Sequence, residues 1–271
     1  MSKIVIRSID EWQRFRAALT GSLGFVPTLG GLHEGHAALI QRAAAENDLA
    51  VVSLFLNPTQ FDDPGDLASY PASLEDDLAY AEAQGASAVL APDREAIYAD
   101  GFRFKVEESP LSRELCGAHR PGHFSGVLTV VLKLLNLVKP DRAYFGEKDY
   151  QQLELIRGMA EAFFIDSQIV ACPTVRDADG LALSSRNARL DAAGRALAPR
   201  LREALACPGS DGQVAEALSR LGFDVDYVAT RFGRRLAAAS IGNGQGRVRL
   251  IDNMPLAQIR AASDANGDNP S

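Results

Sequence analysis

The chain has 271 residues, 46% of them hydrophobic and 23% charged, enough to bury a sizeable core in one or two domains. A net charge of −7 excludes a bulk nucleic-acid surface, which needs clustered Lys and Arg, but leaves room for a small anion held by a few placed cations. Cys116, Cys172 and Cys207 are too few and too scattered for a disulfide framework or a zinc site. Neither the amino terminus nor the segment GVLTVVLKLLNLV has the unbroken apolar length of a signal peptide or a membrane span. A cytoplasmic protein with no membrane and no nucleic-acid partner is therefore expected.

In chain order, Ser8 and Glu11 read as a capping box ahead of a helix with Trp12, Phe15 and Leu19 on one face. LGFVPT is a short strand ending at Pro27, and HAALIQRAAAEN is a helix. LAVVSLFLN is an almost continuous apolar run, the pattern of a strand buried on both faces. SLEDDLAYAEAQG reads as a helix that stops near Gly85, and ASAVLAP as another buried strand. Val127, Val130, Val131, Leu134, Leu135 and Val138 recur at helical spacing over 126–138. DRAYFG is then a strand, a helix runs through Leu153, Ile156, Ala160 and Phe163, and SQIVACPTV is the next strand. Strands alternating with helices place the chain in the α/β class with a doubly wound parallel sheet, whose ligands bind at the carboxyl ends of the strands.

After about residue 174 the pattern changes. RDADGLALSSRNARL is polar and turn-rich, a helical stretch covers 191–206, and FDVDYVATR and GRVRLIDNM read as short strands with helices between them. The reading is a first domain over 1–174 and a smaller α+β carboxy-terminal domain over 175–271, with a disordered tail at 262–271.

Three clusters carry chemistry. His33-Glu34-Gly35-His36 sits at a strand-to-helix junction, where unpaired N–H groups and the helix dipole suit a phosphate. Two of only four histidines, three residues apart, can both point at a ligand there; a pair of capping or core histidines is the plainer alternative. YFGEKDYQQ puts Lys148 and Asp149 at a strand end, with Gln151 and Gln152 on the turn that opens the next helix. LALSSRN aligns Ser184, Ser185 and Arg186 at the domain boundary, a pattern that alone reads as a helix cap.

Six ordered blocks make the chain recognisable: VPTLGGLHEGH, LFLNPTQF, YPASLEDDL, RPGHFSGVLTVVLKLLNLVKPDRAYFGEKDYQQL, CPTVRDADGLALSSRNARL and, more weakly, RLIDNM. Through them the chain resembles the pantoate–β-alanine ligase (pantothenate synthetase) family, within the nucleotidylyltransferases with HIGH-type motifs. The resemblance implies a Rossmann-like first domain, a smaller second domain that closes over ATP, and a homodimer. It also implies a reaction in which pantoate and ATP give pantoyl adenylate and pyrophosphate, and β-alanine then displaces AMP to give pantothenate.

By that resemblance His33 and His36 meet the phosphates, Lys148 neutralises charge building on the transferred phosphorus, and Ser184, Ser185 and Arg186 hold the polyphosphate. Leu29, Gly30, Gly146, Glu147, Asp149, Val175 and Leu183 fall where the family contacts ATP, largely through backbone, and Gln60 and Gln152 where it holds pantoate. Asp76 is the favoured carboxylate near Mg²⁺, with Asp77 as readily a solvated helix face; adjacent helix residues point about 100° apart. His123 in RPGHF reads as structural rather than catalytic. Leu29 and Leu183 stand where the family usually has methionine, a volume-conserving change. The stretch 207–250 matches the family poorly. The rival readings are another adenylyl- or cytidylyltransferase, a tRNA-synthetase-like RNA binder, and an inactive nucleotide-binding regulator. The NPTQF and GEKDYQQL blocks, the acidic charge, and the intact His33, His36, Lys148 and Arg186 weigh against them in turn.

Overall fold

The computed structural model describes residues 4–244 and 246–259; the tail expected to be disordered at 262–271 lies outside the described residues. The chain divides into two compact units, one ending at Pro173 and the other beginning at Thr174.

The first unit is built on six strands: β1 (Val5–Ile6), β2 (Leu23–Thr28), β3 (Leu49–Leu54), β4 (Ala88–Leu90), β5 (Arg142–Gly146) and β6 (Gln168–Cys172). All pair in parallel, in the order β1-β4-β3-β2-β5-β6. Helices α1 (Ile9–Ala18), α2 (Glu34–Glu46), α3 (Pro64–Ala68), α4 (Leu74–Ala83), α5 (Arg94–Ile97), α6 (Cys116–His119), α7 (His123–Val138) and α8 (Tyr150–Ala162) supply the crossovers. This is the doubly wound sheet expected from the alternating pattern, and the Rossmann-like one that the resemblance implies. Val26, Val52, Tyr144 and Val170 from four strands meet Ile40 of α2 and Leu78 of α4 in one buried cluster. Each large apolar side chain there contributes about 1.5–3 kcal/mol of burial.

From β2 the chain builds outward to β3 and β4, then returns to lay β5 and β6 on the other side. The order therefore reverses between β2 and β5, the switch point at which open α/β sheets bind ligands. The pairing shows how the cleft opens. β2 stays in register with β3 as far as Thr28↔Leu54, but meets β5 only at Gly24↔Arg142 and Phe25↔Ala143. Pro27 has no N–H to offer a second ladder, so a proline tolerated poorly in most central strands marks the place where two neighbours part. The far end of helix α2 is fastened to β5: Tyr144 Oη donates to Glu46 at 2.9 Å and accepts from Asn47 Nδ2 at 2.8 Å.

The second unit places α9 (Ala192–Leu197), α10 (Arg200–Ala206) and α11 (Asp211–Arg220) before an antiparallel sheet of β7 (Asp224–Arg231), β8 (Arg234–Asn243) and β9 (Gly246–Pro255), with β8 in the centre. Leu201, Leu205, Val214 and Leu218 of the helices pack on Ala237, Ala239, Ile241, Val248 and Leu250 of the sheet.

Two expectations are corrected in this unit. The helix expected over 191–206 is two helices, because Pro199 cannot donate to the preceding turn and its ring crowds it, while suiting the start of α10. The segment between the two expected strands is no helix but β8 itself. Its run Leu236-Ala237-Ala238-Ala239 has helical propensity, yet all four residues are buried, and small side chains in the middle strand let α9 and α10 approach it. Buried Arg235 then ties β8 to the α10–α11 turn, donating to the carbonyls of Leu205 and Cys207 at 3.2 and 2.7 Å.

One local choice works against stability. Helix α8 ends with Ile165 N–H donating to the Ala160 carbonyl at 2.9 Å, which puts Phe164 in the left-handed position usually given to glycine. Phe164 has φ of 54° and is 91% exposed, so it gains little burial in return for the strain. Phe164→Gly is expected to raise stability by about 0.5–1 kcal/mol, read as a higher urea midpoint with an unchanged slope; a lower midpoint would show that the strain is not there.

Candidate functional site

At the carboxyl end of β2 the chain makes a tight turn. Gly30 and Gly31 have φ of +87° and +64°, a conformation that side-chain-bearing residues adopt only with strain. A Cβ on Gly30 would also lie 2.8 Å from Asp77 Oδ2. Asp77 is the reason for that closeness. It is only 5% exposed, and its two oxygens accept the backbone N–H groups of Gly31 and Leu32 at 2.8 and 2.7 Å. Asp77 is thus no solvated helix face, and neighbouring Asp76 is the exposed member of the pair.

The turn delivers the chain to α2 at His33, the cap residue. His33 Nδ1 accepts the N–H of Gly35 at 3.1 Å, and His36 Nδ1 accepts the N–H of His33 at 3.3 Å, a capping box made from two imidazoles with ring centres 4.2 Å apart. The plainer reading of these histidines, as caps, therefore holds without excluding a ligand. An imidazole nitrogen that accepts carries no proton, so both rings are the Nε2–H tautomer, with Nδ1 committed to backbone and Nε2–H available as a donor. Burial lowers His33 to about 4 and His36 to about 3; the Lys148 charge adds to both, and His36 is lowered further by His33. Asp149 pulls the other way on both rings. These mutual effects place the start of α2 beside the Lys148–Asp149 pair that follows β5, whose own atoms stand 3.5 Å apart.

Around this centre lie the other expected residues of the first unit. Leu29 and Gly30 form the turn after β2, while Gly146, Glu147, Lys148 and Asp149 lie at the end of β5, and Gln152 sits half-buried on the first turn of α8. A Cβ at Gly146 would meet nothing within 4 Å, so the bare backbone there faces open space. Gln151 takes no part: it is buried, and its amide is engaged by Leu111, Glu114 and Cys116.

Gln60 follows β3 in a short turn of 3₁₀ helix, Pro58–Gln60. Its side-chain oxygen accepts from Asn57 Nδ2 at 3.0 Å, which leaves the NH₂ end without a partner among the described residues. Its carbonyl accepts from His123 Nδ1 at 2.7 Å and from Arg120 at 3.3 Å, and Arg120 is paired with Asp62 at 2.8 Å. His123, buried and lowered to about 3 by burial and then by Arg120, is thus a backbone clamp on Gln60. Asn57 is a hub that composition and spacing did not bring forward. Fully buried, it accepts from Tyr98 Oη at 2.7 Å and Thr59 Oγ1 at 2.9 Å, and also donates to the Gly126 carbonyl. A polar residue closing the apolar run LAVVSLFLN was the available signal.

The remaining residues belong to the second unit. Leu183 N–H donates to the Val175 carbonyl at 3.0 Å, closing a hairpin whose turn is Asp177–Gly180. Ser184 Oγ accepts the Arg186 N–H at 3.3 Å and so caps the 3₁₀ helix Ser185–Arg189. Arg176 fixes the hairpin to β9 through two bonds of 2.7 and 2.8 Å to buried Asp252.

No three His, Cys, Asp or Glu side chains stand together as a metal-binding group among the described residues. A magnesium ion would fit such a surface only if a ligand's phosphates supplied most of its oxygens, with one or two carboxylates at most from the protein. No helix of the described residues is long and apolar enough to cross a membrane.

An opened switch point faced by a capped helix start and a lysine defines a nucleotide-binding α/β enzyme. Comparison with known proteins makes this particular. A family model described as Pantoate-beta-alanine ligase matches residues 4–255, and the chain belongs to that family. It is 51% identical over 252 residues to the pantothenate synthetase of Bdellovibrio bacteriovorus, covering 93% of this chain and 99% of that one. The pantothenate synthetase of Coxiella burnetii is 48% identical over 255 residues, with 94% and 97% covered. Among solved structures, the Francisella tularensis pantoate-beta-alanine ligase, described as complexed with beta-gamma ATP and beta-alanine, superposes with a TM-score of 0.87 at 39% identity, covering 94% and 98%. Pantothenate synthetase from Thermus thermophilus gives 0.84 at 40% identity, covering 93% and 99%.

The histidines set a pH dependence. His33, His36 and His123 lie below the unfolded value near 6.5, so the unfolded chain takes up protons first as pH falls. Their contribution to stability is complete above pH 6.5 and is lost progressively as pH drops toward 4. Urea midpoints should be level between about pH 8 and 7 and fall between about 6.5 and 4.5, less steeply in His123→Gln. A decline equally steep in wild type and variant would remove His123 from the effect.

Proposed function

We propose that the chain makes pantothenate in two steps at the β2/β5 switch point. A carboxylate oxygen of pantoate attacks the α-phosphorus of ATP, the bond to the β-phosphate oxygen breaks, and pyrophosphate leaves. The amine of β-alanine then attacks the acyl carbon of the pantoyl adenylate, the carbon–oxygen bond to AMP breaks, and the amine gives up a proton. The observation that carries this reading is the pair of neutral, Nδ1-capped imidazoles next to Lys148.

The first step forces two anions together. At about 4 Å they repel by roughly 4 kcal/mol at an effective dielectric near 20. Positioning and charge compensation, rather than a protein nucleophile, are what the site must supply. His33 and His36 would donate Nε2–H to the phosphates, with His36 nearest the leaving pyrophosphate, and Lys148 would meet the charge growing on phosphorus. Ser184, Ser185 and Arg186 of the second unit would hold the polyphosphate. Leu29, Gly30, Gly146, Glu147, Asp149, Val175 and Leu183 would line ATP mostly through backbone groups. Gln60, its oxygen already engaged, would present its NH₂ to pantoate together with Gln152. When bound, Mg²⁺ would neutralise the polyphosphate near Asp76. The family further suggests a homodimer working in the cytoplasm, with the carboxy-terminal unit as a closing domain.

With ATP, Mg²⁺ and pantoate alone, the enzyme should release about one equivalent of pyrophosphate and little AMP; adding β-alanine should release AMP and pantothenate in equal amounts. ADP and inorganic phosphate as products would replace the adenylate by an acyl phosphate and overturn the proposal. Lys148→Ala should keep the fold and lose about 10²–10³ in turnover, as when other electrostatic stabilisers are removed; a near-normal rate would take Lys148 out of the mechanism.

A further inference from the structure

We propose that Asp77 is a positioning residue for the histidine pair. The inference rests on the reaction proposed above for its kinetic consequence, but not for its geometry. Asp77 leaves α4 on the same stripe as Leu78 and Ala81, which are buried against the sheet. Its carboxylate is therefore held in the frame of α4, β3 and β4. Both of its oxygens are given to the loop between β2 and α2, to the N–H groups of Gly31 and Leu32, the two residues before His33. Two other polar ties of that turn are longer: Gly30 N–H to Thr28 Oγ1 at 3.3 Å and Tyr70 Oη to the Gly30 carbonyl at 3.4 Å.

The geometry is two-sided. The turn brings the successive N–H groups of Gly31 and Leu32 to one carboxylate, which satisfies both at once. Gly30 lacks the Cβ that would collide with that carboxylate. A buried carboxylate with no ion pair among the described residues needs these donors, and the donors need it. Its effect on the site passes through the backbone into His33, whose N–H is in turn held by His36. Asp77 thus relates the histidines to the sheet through the backbone.

Asp77→Asn replaces one acceptor by a donor facing an N–H, and so unlocks the turn at nearly constant volume. Asp77→Ser tests the same point with a smaller oxygen acceptor. Each variant would be compared with wild type by thermal unfolding, by ¹⁵N resonances of the imidazole rings, and by kcat and KM for each substrate. The expected result is a cooperatively folded protein with shifted His33 and His36 ring nitrogens, kcat lowered by about 10²-fold, and KM for β-alanine little changed. Folded variants with wild-type kcat and unmoved histidine resonances overturn the proposal. So does loss of cooperative folding in both variants, which would make Asp77 a general structural residue, and so does exchange of the wild-type Gly31 and Leu32 amide protons as fast as in an exposed loop. A wild-type enzyme that forms no pantothenate would remove the proposed reaction and leave the spectroscopic arm of the test standing.

Discussion

The first turn of a helix carries N–H groups that the helix itself cannot satisfy, and everything at this site follows from how α2 satisfies them. Serine or aspartate would cap as well, but with nothing left over or with a negative charge where the proposed reaction brings an anion. Histidine has a second nitrogen on the far side of a rigid ring. Committing Nδ1 to the backbone fixes the orientation and the tautomer, and what remains is a donor aimed away from the helix. The cap and the proposed phosphate contact are two ends of the same ring, so an exclusive choice between them is unnecessary.

Neutrality of those rings matters as much as their direction. A net charge of −7 sets no obstacle to binding anions, because Debye screening over about 8–10 Å confines the relevant field to the cleft. Within it, the formal positive charge of Lys148 sits beside Asp149, and the two act on both histidines in opposite senses. In the proposed reaction the imidazoles would add hydrogen-bond donors without burying further cations, whose desolvation would recur at every turnover. The gap at the switch point is set by the backbone, where β2 leaves β5 after Phe25 and continues alone with β3.

Much of the first unit was legible in the sequence because its strands are buried on both faces and read as unbroken apolar runs. The histidines were legible because the spacing of a capping box is short and local. Asp77 was harder. Adjacent helix positions point in different directions, and choosing between Asp76 and Asp77 requires knowing which stripe faces the sheet. Leu78 and Ala81 supply that stripe, with Asp77 on it at helical spacing, so the information was present but pointed to a buried carboxylate whose partners lie 45 and 46 residues away. Asn57 poses the same difficulty, since its value lies in Tyr98, Gly126 and Gln60, brought to it only by the fold. The alanines of β8 failed for the opposite reason. Propensity spoke clearly for a helix, and packing between two strands overrode it.

The second unit shows why resemblance can persist in two blocks, one of them weaker, and fade between them. CPTVRDADGLALSSRNARL and RLIDNM are 76 residues apart at Arg176 and Asp252, yet they meet there in a two-pronged ion pair with Asp252 4% exposed. Removing Arg176 would strand the buried Asp252 charge at a cost of about 3–5 kcal/mol, so the two blocks are tied to each other. The hairpin that pairs Val175 with Leu183 and leads into Ser184 is anchored by this bond together with buried Leu181. Apart from buried Arg235, the intervening helices and β8 have a weaker requirement, to pack against one another with side chains of suitable volume, and many sequences meet it. A stretch that only has to fill space is free to diverge, whereas a stretch that must place a donor opposite one particular carboxylate is not.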